Sequence, residues 1–244
     1  MLAETFLNKI EVILARVKKT QLEQINQAAQ EIARSIKNNG ILHVFGCGHS
    51  QIYAMELFYR AGGIVPVNAI LTPALSLDPK AKLSTFAERQ SGLAKNILDN
   101  EITSTHDTML IASTSGRNAV PVEMAEEAQK IGMKVIALTS LDFSKQVATR
   151  HPGGKKLYQV ADIVIDNCGE VGDAVMEIAG MEVKFAPTST AIGTAILQAL
   201  IAQVISNLAE AGIEPPIWVS SNLDQGDAIN NQHIKNYRQR ISCL

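Results

Sequence analysis

Apolar residues recur three or four apart through residues 4–38: Phe6, Ile10, Ile13, Leu14 and Val17, then Leu22, Ile25, Ala29, Ile32 and Ile36. This spacing predicts a long or twice-broken amphipathic helix. Asn38-Asn39-Gly40 supplies its stop, and a short apolar run over residues 41–45 follows. Similar runs at 63–70, 108–112, 134–138 and 163–165 are rich in Val and Ile and lack polar alternation. Strands buried on both faces have that pattern. Helix-like stretches lie between them at 51–61, 85–100, 119–131 and 144–148. Strands alternating with helices imply right-handed crossovers, and hence a three-layer α/β sandwich around a mainly parallel five-stranded sheet.

Beyond the last strand, residues 168–186 are acidic and punctuated by glycine, which predicts a hairpin insertion. A long helix over 189–211 follows, Pro215-Pro216 breaks the chain, and a polar helix over 224–242 ends it. No repeat or linker interrupts the pattern. Residues 1–244 are therefore expected to form one domain, with 1–38 an N-terminal helical segment and 212–244 a C-terminal extension.

Composition narrows the classes of function. The chain is 46% hydrophobic and 19% charged, enough apolar residue for a sizeable core, so wholesale disorder is excluded. Twenty-two Lys and Arg against 24 Asp and Glu give a net charge of −2, with no footprint for nucleic acid or an anionic membrane. Cys47, Cys168 and Cys243 are odd in number and far apart, which argues against a disulfide framework and suits the cytoplasm. No CxxC or HExxH spacing supports a metal. Glu4, Lys9, Glu11 and Arg16 interrupt the N-terminus where a signal peptide needs a continuous apolar core. Gly193, Thr194, Gln198 and Gln203 interrupt the longest apolar tract, 191–205, which reads as a buried helix rather than a membrane span.

Two strand-to-helix loops carry the candidate chemistry. Gly46-Cys47-Gly48-His49-Ser50 follows the first strand; its glycines let the backbone turn sharply and approach a ligand. The loop lacks the third glycine of a dinucleotide fingerprint, where Gln51 stands, and no acidic residue ends the second strand, so no nucleotide cofactor is expected. Ser113-Thr114-Ser115-Gly116-Arg117-Asn118 follows the third strand, and its hydroxyls and free amides can surround a phosphate without a lysine. Each alone fits an ordinary capped turn. Together, at carboxyl ends of parallel strands, they point to a phosphorylated small molecule.

These two loops resemble the phosphosugar loops of SIS (sugar isomerase) domains. Pro187-Thr188-Ser189-Thr190-Ala191-Ile192-Gly193-Thr194-Ala195 is similar to a helix start in N-acetylmuramic acid 6-phosphate etherases. With Glu56-Leu57-Phe58-Tyr59-Arg60-Ala61-Gly62-Gly63 and Glu88-Arg89, the first loop resembles a bacterial SIS subgroup named only for phosphosugar binding. The resemblance implies that Ser50, Ser113, Ser115 and Asn118 hold a phosphate, with Gly48 and Gly116 shaping the loops. Phosphoheptose isomerases and the etherases carry a glutamate where this chain has Arg60. The late-helix glutamate and histidine of phosphoheptose isomerases fall on Ala195 and Leu197. None of the three substitutes serves as their acid/base, so His49, Glu56 and Glu88 are the candidates for proton transfer.

The resulting expectation is a cytoplasmic protein that binds a sugar phosphate and acts as an isomerase or lyase without metal or cofactor. The alternative is a non-catalytic phosphosugar sensor. A homodimer is expected too, because the N-terminal helix exceeds what one sheet face needs. SIS proteins pack the equivalent helices across a two-fold interface, which here would bury Leu14, Val17, Leu22 and Ile25 against a second copy.

Overall fold

The N-terminal amphipathic segment folds as two helices, α1 (Leu2–Thr20) and α2 (Leu22–Lys37), separated at Gln21, whose backbone leaves helical values (φ −119°, ψ 0°). The computed structural model describes all residues, 1–244. The remaining elements are β1 (Leu42–Gly46), α3 (Gln51–Leu57), β2 (Val67–Ile70), α4 (Ala81–Ala87), α5 (Leu93–Leu98), β3 (Thr108–Ala112), α6 (Ala119–Ile131), β4 (Lys134–Thr139), α7 (Leu141–Gln146), α8 (Leu157–Val160), β5 (Ile163–Asp166), α9 (Ser189–Glu210) and α10 (Gly226–Tyr237).

The five strands form one sheet in the order β2-β1-β3-β4-β5, every pair parallel. Side chains alternate across it. Leu42, Val44, Leu110, Ile136 and Ile165 pack with α1, α2, α3 and α9, whereas Phe45, Met109, Ile111, Val135 and Ala137 pack with α4, α5, α6 and α8. The expected three-layer α/β sandwich is present. α9 is the one helix long and apolar enough to cross a membrane. Here its apolar stripe, Ile192, Ile196, Leu197, Leu200, Ile201, Val204 and Leu208, is buried against the sheet-side cluster that includes α2 and α3. Each such side chain contributes about 1.5–3 kcal/mol relative to exposure.

Several boundaries differ from the sequence expectation for local reasons. Residues 63–70 are not one strand: Pro66 precedes the parallel strand, and Ile64 instead pairs antiparallel with Ile217 of the C-terminal extension. The helix expected over 51–61 stops at Leu57, because Phe58 is extended and Tyr59 has φ 48°. The single helix expected over 85–100 is two, divided at Gly92 (φ 87°), where Glu123 of α6 accepts the Gly92 amide at 2.7 Å. α7 begins earlier than expected, because the Ser140 hydroxyl caps it by accepting from the Phe143 amide. α8 is too short for periodicity to reveal. Within the expected hairpin, pairing reduces to a single bridge between Met176 and Phe185.

The expected helical pairing between copies is corrected in part. Val17 and Ile25 are buried within their own chain, and Leu14 packs against the same cluster. Leu22 remains exposed, together with Leu2, Leu7 and Val12 of α1.

The C-terminal extension is fastened to the amino ends of β1, β2 and β3. Buried His43 lies between Asp107, with Nε2 3.2 Å from Oδ2, and Asn68, with Nδ1 3.1 Å from the side-chain amide. Arg240 donates to Asp107 Oδ1 at 2.6 Å, and the Ser242 amide donates to Asn68 Oδ1 at 3.2 Å.

Candidate active site

β1 and β3 are neighbours, yet the chain leaves them in opposite directions: β1 leads through α3 to β2 at the edge, and β3 leads through α6 to β4. Such a reversal opens a crevice at the carboxyl ends of the two strands, where α/β sheets bind ligands. A cavity of about 570 Å³ lies there, lined by both predicted loops.

The loop after β1 makes a single 3₁₀ turn, Gly48–Ser50, before α3. Gly48 has φ 56°, a left-handed value at which a side chain is strained. The amides of Gly48 and His49 have no acceptor within the chain. His49 is exposed at the cavity wall, and Ser50 lines the cavity beside it.

The loop after β3 is more constrained. Gly116 also has φ 56°, and a Cβ there would meet Ser144 Oγ at 3.1 Å and Thr139 Oγ1 at 3.2 Å. The Ser113 hydroxyl accepts from the Gly116 amide at 3.2 Å, which braces the turn from within. The amides of Ser115, Arg117 and Asn118 have no acceptor in the chain and lie at the start of the 13-residue helix α6. Free amides at a helix N-terminus are suited to an anion.

Glu88 reaches the cavity from the end of α4. Burial pushes its carboxyl above the ordinary value, only partly offset by Arg89 and Arg150. Asn118 donates its side-chain amide to Glu88 Oε1 at 2.6 Å, and Arg150 Nη1 donates to Asn118 Oδ1 at 3.2 Å. The Asn118 side chain is therefore engaged with Glu88 and Arg150; what it offers a ligand is its backbone amide.

The structure does not bring Glu56, one of the expected acid/base candidates, to this cavity. Its carboxylate accepts from Arg60 at 2.9 Å and from Gln198 of α9 at 3.0 Å, tying α3 to α9. Position six of a short helix left its facing undetermined in the sequence. Leu197 is a core residue, and Ala195 is on the exposed side of α9.

Sequence reasoning missed Arg150, Tyr53 and Asp173, all of which line the cavity. Asp173 accepts the amides of Thr188 at 3.1 Å and Ser189 at 2.8 Å, so the chain's own carboxylate fills the N-terminus of α9. Tyr53 donates its hydroxyl to the Ser189 carbonyl at 2.6 Å, and its ring lies where a Cβ on Gly193 would be. Burial raises the Tyr53 hydroxyl well above its ordinary value. No local signal links these residues, because each contact joins segments more than a hundred positions apart or depends on an irregular loop.

Residues 5–140 match the family model described as SIS domain. A UPF0309 protein of Geobacillus thermodenitrificans is 42% identical over 241 residues, covering 99% of this chain and 97% of that one. A UPF0309 protein of Halalkalibacterium halodurans is 44% identical over 225 residues, covering 92% and 93%. Among solved structures, a phosphoheptose isomerase from Francisella tularensis aligns with a TM-score of 0.55 at 18% identity, over 83% of this chain and 95% of that one. The sugar isomerase domain of an RpiR transcription factor from Sphaerobacter thermophilus aligns at 0.52 and 17% identity, over 96% and 98%. At such identities these two likenesses speak to the fold, and with the family match and the UPF0309 relatives they lead to one assignment: the chain belongs to the SIS-domain proteins, within the UPF0309 family.

Proposed function

We propose that this protein binds a phosphorylated sugar in the crevice between β1 and β3 and interconverts it by general acid/base proton transfer, as an isomerase or a lyase. The observation that carries the reading is that Glu88 and His49 share one cavity with the Ser113–Asn118 turn. In this reading the phosphate sits on the hydroxyls of Ser113 and Ser115 and the amides near Gly116 and Asn118, with Gly48 and Ser50 closing the opposite side. Asp173 already fills the start of α9, so that helix is not the anchor.

Anchoring one end of the substrate fixes the reacting carbons against the remaining wall. Aldose–ketose exchange then needs one group to carry a proton between adjacent carbons and another to exchange a proton with oxygen. Glu88, whose carboxyl burial pushes above its ordinary value, suits the carbon-side transfer, and His49 suits the oxygen. Elimination of an ether uses the same pair: the base takes the proton next to the carbonyl, and the acid protonates the departing oxygen. The cysteine usage supports a cytoplasmic location.

The second reading, a non-catalytic phosphosugar sensor, draws on Arg60, Ala195 and Leu197, which stand where phosphoheptose isomerases place proton-transferring groups. Product analysis with hexose, hexosamine and muramic acid 6-phosphates separates the two. Turnover that Glu88→Gln abolishes supports the enzyme. Tight binding without turnover of any of the three supports the sensor, and absence of binding overturns both.

A further inference from the structure

Four of the eight arginines meet a carboxylate: Arg16 with Asp142, Arg34 with Glu31, Arg60 with Glu56 and Arg240 with Asp107. Arg117 and Arg150, which line the cavity, do not, and neither does nearby Arg89. Their proximity is built into the backbone, since the Arg150 amide donates to the Arg117 carbonyl at 2.7 Å. Arg117 Nε is buried without a hydrogen-bond partner. Arg150 spends one N–H on Asn118, leaving most of its five donors free. Desolvation, then the like charges of Arg117 and Arg89, lower the pKa of the Arg150 guanidinium.

Arg117 and Arg150, side by side on one cavity wall, repel one another, and a bound anion relieves the repulsion. Glu88 offsets this repulsion only in part: it makes no ion pair with either arginine, and burial pushes its carboxyl above the ordinary value. Nor does a phosphate on the Ser113–Asn118 turn need the two guanidinium groups, since the turn itself offers two hydroxyls and three amides that have no acceptor in the chain. The guanidinium fork matches the two coplanar oxygens of a carboxylate.

We propose that Arg117 and Arg150 form a second anion subsite in the same cavity, which takes a carboxylate of the substrate, so that the ligand is a phosphorylated sugar acid. The inference rests on the reading of the Ser113–Asn118 turn as the phosphate site.

Calorimetry on the full chain tests it with 6-phosphogluconate, glucose 6-phosphate, gluconate and fructose 1,6-bisphosphate as probes. The wild type is expected to bind 6-phosphogluconate about tenfold or more above glucose 6-phosphate. Arg150→Gln, at an exposed position that tolerates substitution, should cut that affinity about tenfold and leave glucose 6-phosphate within about threefold; adding Arg117→Gln should deepen only the first loss. Ser115→Ala should weaken both phosphates alike. Equal losses for both on removing the arginines overturn the proposal and make the arginines phosphate ligands. A bisphosphate that gains as much as 6-phosphogluconate overturns the carboxylate assignment. If Ser115→Ala changes neither phosphate, or no probe binds the folded chain, the phosphate reading fails and the second subsite with it.

Discussion

Asn118 donates its side-chain amide to Glu88 Oε1 across 2.6 Å, joining the N-cap residue of α6 to the one carboxyl group of the cavity that burial keeps above its ordinary value. The bond fixes one carboxyl oxygen and leaves the other for chemistry. It also makes Glu88 a source of pH dependence. Because the folded state holds the proton more tightly than the unfolded chain, the stability contributed by Glu88 is fully present below the ordinary value of 4.5. It is lost as pH rises through the raised folded value. Glu88→Gln keeps an acceptor for Asn118 and removes the ionisation, so its melting temperature should exceed that of the wild type at pH 7 and match it at pH 4. Equal melting temperatures at both values would mean that the carboxyl is not destabilised by burial. Turnover in the same variant should fall by about 10²–10⁴-fold.

The two serines of the second loop should respond differently to removal. Ser113 already accepts the Gly116 amide, so Ser113→Ala loosens the turn itself and lowers stability as well as affinity. The Ser115 hydroxyl makes no hydrogen bond within the chain, so Ser115→Ala should leave the melting temperature unchanged and cost about 1.5–3 kcal/mol of phosphosugar binding. Paired calorimetry and thermal melts check both halves. Equal stability loss in the two variants would mean that Ser115 is structural.

Asp107 illustrates the opposite linkage, far from the cavity. Burial alone would raise its carboxyl, but hydrogen bonds from His43 and the Ile41 amide, with the charge of Arg240, hold it below the ordinary value. Its contribution to stability is therefore present above 3.8 and lost as pH falls through the lower folded value. Arg240→Gln should move the acid-unfolding midpoint upward. Asp107→Ala, which strands buried His43 and the Ile41 amide, should cost about 3–5 kcal/mol by urea titration at pH 7. A loss under about 1 kcal/mol would mean that the buried groups find other partners.

The same contrast explains what the sequence made legible. The central strands were readable because they are short unbroken apolar runs buried on both faces, α6 because its apolar positions recur at helical spacing, and the two loops because they occur together at strand-to-helix junctions. The facing of Glu56 was not readable, since its partners are Arg60, beyond the end of its short helix, and Gln198, on a helix far along the chain. Arg150 approaches the site through an irregular segment that obeys no period, and contacts seen only in the fold, its amide on the Arg117 carbonyl and its guanidinium on Asn118, hold it at the cavity wall. His43 looked like an ordinary strand position, although its partners include Asn68 of β2 and Asp107, the residue before β3.

The last prediction concerns a second copy of the chain. α1 uses Ile13 and Val17 to pack inward, while Leu2, Leu7 and Val12 are 51%, 61% and 69% exposed. Exposed apolar side chains flanking the buried stripe of a helix gain from burial only if another surface covers them. The two-fold pairing that the resemblance to SIS proteins implies would supply such a surface, and Leu22, 56% exposed at the start of α2, adds to the exposed apolar set. Light scattering on the intact chain should therefore report at least twice the monomer mass. Leu7→Lys with Val12→Lys should give a monomer at micromolar concentration with unchanged helical signal, because neither residue belongs to the intramolecular core. A wild-type chain that is monomeric across that range rules out the pairing. A double variant that stays dimeric moves the interface away from α1.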